Sequence, residues 1–129
     1  MMPNRPALRF ELWSNRLFIN KATINLLGGK QYIQFLWDNG NRILLINGTS
    51  TKVRDSFALE RVSGTNADGE ASGYVFQRRA FTDAVILRMR WNRNESYKVL
   101  GAYAPRVRMV AFCLDEAVPL GCEGGAENE

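Results

Sequence analysis

The feature that most constrains this chain is an order of elements that occurs twice. Residues 8–13, Leu8-Arg9-Phe10-Glu11-Leu12-Trp13, alternate apolar and polar with period 2, the mark of a half-buried strand. Ser14-Asn15 signals a turn, and Arg16-Leu17-Phe18-Ile19 resumes the extended pattern. Asn20 can cap a helix, because its side-chain oxygen accepts a first-turn N–H. Residues 21–27 then read as a short helix with Ile24 and Leu27 as an i, i+3 apolar pair. Gly28-Gly29 ends it, since glycine accepts the left-handed conformation that closes a helix. Residues 31–37 are rich in aromatic and β-branched side chains and read as a strand. Asp38-Asn39-Gly40-Asn41 contains the Asn-Gly hairpin signal, and residues 42–47 return.

The second half runs in the same order. Residues 56–62 read as a strand, 63–72 as a loop of Gly, Ser, Asn and Asp, and 73–77 as extended chain. Residues 78–91 have helical spacing. Phe81, Ala84, Val85 and Leu87 are expected to share one broad face, while Asp83, Arg88 and Arg90 reach water. Asn92-Arg93-Asn94 breaks the helix. Residues 95–104 form a strand whose apolar positions are Tyr97, Val99 and Tyr103. Residues 104–106 turn, and 107–114 close the unit. Matching landmarks are Phe18 and Phe76, 58 apart, Tyr32 and Tyr97, 65 apart, and Ile43 and Met109, 66 apart. A longer second helix accounts for the drift. The repeat is one of pattern, with little residue identity.

A four-strand unit with one short helix leaves two sheet edges and an uncovered apolar face. Two such units paired about a pseudo-twofold axis can interleave hairpins and close a barrel. The expected fold is therefore mainly β with two short helices: a pseudo-twofold swapped-hairpin barrel of strand–helix–hairpin units. Its expected divisions are a flexible arm over 1–7, a barrel over 8–114 (units 8–55 and 56–114), and an acidic flexible tail over 115–129.

Composition narrows the function classes. Apolar residues make up 46% and charged residues 23%, enough for a packed core. No window approaches the roughly 18 apolar residues of a membrane span, and the first residues lack a signal-peptide run. A cytoplasmic protein without membrane association is expected. There is no histidine, the commonest general base and metal ligand, and the only cysteines are Cys113, in an apolar run, and Cys122, in the tail. Glu11, Asp38, Asp55, Glu60, Asp68, Glu70, Asp83 and Glu95 are scattered, and no Ser or Cys has a nucleophile context. No catalytic site, metal or cofactor is expected. Gly28-Gly29-Lys30 follows a helix and lacks the spacing of a phosphate loop.

Charge points to a polyanion. The net charge is +4, yet residues 115–129 hold five acids and no base, which leaves 17 bases and 8 acids, or +9, in residues 1–114. Arg9, Arg16, Lys21, Arg78 and Arg79 stand beside the two strand-to-helix turns, expected on one side of the barrel, where they would neutralise phosphates. Arg88, Arg90 and Arg93 form a second basic run with Trp91 between them. That tryptophan reads better as a core aromatic at a helix end than as a stacking platform. Duplex DNA is the expected partner. A protein–protein interaction module without a nucleic-acid role is the alternative, and self-association is compatible with both.

The first half also resembles a known family. Arg16-Leu17-Phe18-Ile19-Asn20-Lys21-Ala22-Thr23-Ile24-Asn25-Leu26-Leu27-Gly28, followed by Tyr32-Ile33-Gln34-Phe35 and Arg42-Ile43-Leu44-Leu45-Ile46, is similar to the AbrB/SpoVT-type swapped-hairpin module. Arg16, Ile19, Lys21, Leu27 and Gly28 match its pattern; Asn20 replaces a proline, and Ile24 stands where the family often has a DNA-contacting arginine. The match covers about residues 8–47. The resemblance implies a small bacterial DNA-binding unit of the kind found in transcription regulators and antitoxins. In that family two chains complete one barrel, so this chain would carry both halves itself. The alternative interaction module would then belong to a mobile-element or antitoxin-like system.

Overall fold

The structure is a computed structural model, and it describes residues 5–122 except 31, 39, 55, 59 and 62–72. The loop expected over 63–72 and the end of the tail, 123–129, lie outside the described residues.

The first unit comprises β1 (Ala7–Glu11), β2 (Arg16–Ile19), α1 (Lys21–Leu26), β3 (Tyr32–Asp38) and β4 (Ile43–Thr49). The second comprises β5 (Phe57–Ala58), β6 (Glu60–Arg61), β7 (Tyr74–Gln77), α2 (Arg79–Met89), β8 (Glu95–Ala104), β9 (Met109–Cys113) and β10 (Val118–Cys122). All pairings are antiparallel, in the order β5-β3-β4-β9-β8-β1-β2-β7-β6, with β10 also on β8. The two ends of that order, β5 and β6, are neighbouring segments of one stretch of chain, so the sheet curls round in a barrel-like form.

The hairpins are interleaved as the sequence order suggests. The β3–β4 hairpin of the first unit pairs with β5 of the second, and the β8–β9 hairpin of the second pairs with β1 of the first. The registers repeat residue by residue. Leu8↔Val99 and Arg9↔Lys98 on β1–β8 correspond to Phe57↔Ile33 and Ala58↔Tyr32 on β5–β3. Glu11↔Arg16 corresponds to Glu60↔Val75. Leu44↔Phe112 and Val110↔Ile46 exchange with each other. The pseudo-twofold axis therefore passes through the self-equivalent pairs Leu17↔Phe76 and Leu45↔Ala111.

This register corrects two of the sequence landmarks. The equivalent of Phe76 is Leu17, 59 residues before it, and the equivalent of Val99 is Ile33, 66 before it. Matching Phe18 with Phe76, or Tyr32 with Tyr97, slips the alignment by one and turns inward residues outward, because side chains alternate faces along a strand. Leu17 and Phe76 are buried, whereas Phe18 is half-buried on the outside under Arg9. Ile43 and Met109, at 66, are in true register.

The core lines the inside of this sheet. Leu8, Phe10, Leu17, Ile19, Ile33, Leu44, Ile46, Phe76, Tyr97, Val99, Val110 and Phe112 point inward at alternating positions. Ile24 and Leu27 of the α1 segment, Val85 of α2, and Leu12 and Leu114 from two short 3-10 turns close it. Phe35, Phe57, Phe76 and Phe81 form an aromatic cluster with centroids 4.5–6.2 Å apart. Trp91 stacks on Tyr97 at 4.1 Å and meets Phe10 edge-on at 5.2 Å, so it belongs to the core.

Helix ends follow the sequence signals. Asn20 Oδ1 accepts from the Thr23 N–H at 3.1 Å, the N-cap bond. At the other end Gly28 N–H donates to Asn25 O and Gly29 N–H to Ile24 O, with φ of 81° and 67°, which satisfies carbonyls the helix leaves open.

Several expectations change. The first strand stops at Glu11, and Trp13 lies in a 3-10 turn with 51% exposure. The buried face of α2 carries Phe81, Thr82, Val85, Ile86 and Met89; Ala84 is exposed and Leu87 is 82% exposed. Tyr103 is exposed near the end of β8, where the inward position before it is Gly101. Residues 115–122 are not a loose tail: after a turn at 114–116 the chain forms β10 on β8, which includes Cys122. The arm is likewise held at its end, where Arg5 and Pro6 bond Gly101 and Asn20.

Candidate nucleic-acid interface

Strand register alone begins to assemble the basic side chains. On the outer face of the sheet, Arg9 stands opposite Phe18 on one side and Lys98 on the other. Like charges directly opposite each other on neighbouring strands cost stability. Here the Arg9 guanidinium lies 4.3 Å over the Phe18 ring and 3.5 Å from Glu11, which fixes its position and leaves Lys98 exposed.

The next row holds Glu11, Arg16 and Gln77. Arg16 reaches the other oxygen of Glu11 at 3.8 Å. Arg78 follows Gln77 directly and donates its backbone N–H to Asn15 O at 3.1 Å. Asn15 accepts from Arg93 through its side-chain oxygen at 3.0 Å. Arg93 pairs with Asp83, which also takes Arg79 at 3.7 Å, one turn before it on α2. Arg9 and Arg16 thus share the Glu11 carboxylate, Arg79 and Arg93 share Asp83, and Asn15 joins the two groups through Arg93 and the Arg78 backbone in one patch. The start of α2 lies in the same patch, and Arg78 makes no side-chain cap, so first-turn N–H groups add positive potential there.

Four of the seven expected contact residues therefore come together: Arg9, Arg16, Arg78 and Arg79. Lys21 does not join them. β2 and β7 run antiparallel, so the two strand-to-helix turns lie at opposite ends of that pair, about 13 Å apart along four residues of strand. Arg88 lies 4.4 Å over Trp37, and Arg90 caps the far end of α2. Both sit where a cation favours the helix dipole. Ile24, at the position where the resembled family carries an arginine, is 3% exposed and packs in the core. Arg93 and Lys98 complete the patch. Lys98 was legible as the outward phase of its strand, but Arg93 sits in a helix break whose fold-back toward Asn15 has no local signal.

The charge balance of the folded part is one-sided. All 17 Lys and Arg of the chain lie among the described residues, with only 7 of its 13 acids. Among the described residues no group of three or more His, Cys, Asp and Glu is placed to hold a metal, and no helix is long and apolar enough to cross a membrane. No family model, curated protein or solved structure matches the chain.

Proposed function

We propose that this protein binds nucleic acid, duplex DNA in particular, through the arginine patch on the β1–β2–β7 face and the start of α2. The observation that carries the reading is the contiguity of Arg9, Arg16, Arg78, Arg79 and Arg93 through Glu11, Asn15 and Asp83, with Lys98 opposite Arg9. Guanidinium groups bind phosphate bidentately, and their anchoring on Phe18, Asn15 and Asp83 reduces the ordering cost of binding. A chain that completes a barrel from two interleaved units is a single-chain counterpart of the module that its first half resembles. Such a patch acts on phosphates and so favours affinity over sequence readout. The protein is a regulator-like binder without catalytic chemistry in this reading.

The test is a titration of a labelled duplex over a range of salt. Affinity is expected to fall linearly on a log–log scale, with a slope of about −0.9 per phosphate neutralised. Replacing Arg16, Arg78 and Arg79 together by Ala should remove most of the affinity, while Lys21→Ala, at the other end of β2, changes it little. Absence of binding to pooled genomic fragments at low salt would sink the proposal.

One observation favours a second reading, a protein-interaction module. Leu100 of β8 and Val118 and Leu120 of β10 are 44%, 59% and 44% exposed at neighbouring strands. A stoichiometric partner captured by the wild-type chain, and lost with Val118→Asp and Leu120→Asp, would establish it.

A further inference from the structure

The two units differ in one place that bears on the basic residues. In the first unit Leu8↔Ile19 and Arg9↔Phe18 remain paired along β1 and β2. Their equivalents, Phe57 with Arg78 and Ala58 with Gln77, stand beside residue 59, outside the described residues; the described pairs of β6 and β7 are Glu60↔Val75 and Arg61↔Tyr74. The contrast between the units here is one of residue type. Ile19 is 1% exposed and seals the first seam, whereas its equivalent is Arg78, whose charge cannot enter the core. Its guanidinium lies instead 4.7 Å over the Phe57 ring.

Beside it, between β5 and β7, lies a cleft of about 440 Å³, within the range of small-ligand sites. Its floor is Phe57 and Phe76, and Tyr32, Lys52, Gln77 and Arg78 supply polar groups at its sides. Arg78 lines the cleft with its side chain and joins the arginine patch through its backbone N–H to Asn15 O.

We propose that this cleft is a nucleotide site: it takes one unstacked base against the outer face of the Arg78 guanidinium, with its phosphate beside Lys52. Bases stack on guanidinium planes as they do on aromatic rings, and Phe57 supports the plane from behind. A pocket with aromatic floor and two cations suits a flat anion better than a peptide or sugar. The proposal deepens the nucleic-acid reading where the nucleotide is part of a strand, and it holds independently where the nucleotide is free.

Three probes distinguish these cases on the full chain: a fully paired duplex, the same duplex with one unpaired extrahelical nucleotide, and AMP alone. Wild type is expected to bind the second duplex about tenfold or more tighter than the first. Ala58→Trp fills the cleft from an exposed position and should erase that difference without weakening binding to the paired duplex. Lys52→Gln, on an exposed connection, should reduce the difference between the two duplexes if the tryptophan disturbs folding. Equal affinity for the two duplexes with no AMP binding overturns the cleft proposal and leaves the proposed function standing. Binding of AMP that is lost in Ala58→Trp, with no binding of either duplex, supports the cleft and overturns the proposed function. Binding of none of the three overturns both.

Discussion

Arg90, Arg42 and Arg108 all adopt left-handed backbone conformations, with φ of 58°, 53° and 57°. In this region an L side chain crowds its own carbonyl, at a cost of roughly 1 kcal/mol that glycine does not bear. Arg42 and Arg108 are equivalent under the 66-residue register, each closing the turn of its unit's hairpin. Arg90 ends α2, where its N–H donates to Ile86 O. Arg90→Gly is therefore expected to raise stability by about 0.5–1 kcal/mol in a denaturant melt; a loss of stability would show that the arginine side chain has a structural partner. The opposite holds at Gly101. A Cβ there would stand 2.5 Å from Phe112 Cε2. The facing pair Gly101↔Phe112 has Phe35↔Ile46 as its counterpart, so one unit places its bulk on the hairpin's first strand and the other on its second. Gly101→Ala should destabilise by about 1–3 kcal/mol, measured in the same way, through overpacking.

At the level of elements, α1 owes its position to one side chain. Asn20 Oδ1 accepts from Thr23 N–H, Thr23 Oγ1 and Ala7 N–H, and its Nδ2 donates to Arg5 O. The cap thus fastens the helix start to the beginning of β1. Asn20→Ala is expected to cost about 1–2 kcal/mol, the upper part of the usual range for a helix cap, because more than one donor is left without an acceptor. In α2 the phase of the buried face is testable. Val85→Ala removes volume from a fully buried site and should cost about 1–3 kcal/mol, whereas Leu87→Ala on the 82% exposed face should fall within about 0.5 kcal/mol of wild type. Equal effects would place the helix face wrongly. Apolar spacing alone misassigned Leu87, since Phe81, Val85 and Met89 define the stripe at i, i+4 and i+8 while Leu87 has helical neighbours only by its hydrophobicity.

Across the whole molecule, each half needs the other for its edges. β1 takes β8, β3 takes β5, and the two units join again at β2–β7 and β4–β9. A half on its own would expose two strand edges and one face of the core. Residues 1–55 and 56–129 expressed separately are therefore expected to lack cooperative unfolding. Mixed, they should recover the β signal in far-ultraviolet circular dichroism and elute as one species. Independent folding of either half would contradict the interleaved pairing.

The sequence by itself determined the order of strands and helices as far as Cys113, the Asn20 cap, the Gly28-Gly29 stop, the hairpin turn beside Gly40 and the need for two units to share one core. These are written in local chemistry: period-2 alternation, side-chain capping and residues that accept positive φ. It also made a basic body legible, since charge is a matter of counting. Only the tertiary structure decided the register that makes Leu17 and Phe76 equivalent, because a slip of one residue keeps every local pattern and reverses every face. Only the structure separated Lys21 from Arg16, Arg78 and Arg79, because the two strand-to-helix turns are close in pattern and far apart on an antiparallel pair. The cleft beside Arg78 was likewise beyond the sequence, because it depends on Arg78 standing where the other half carries the buried Ile19.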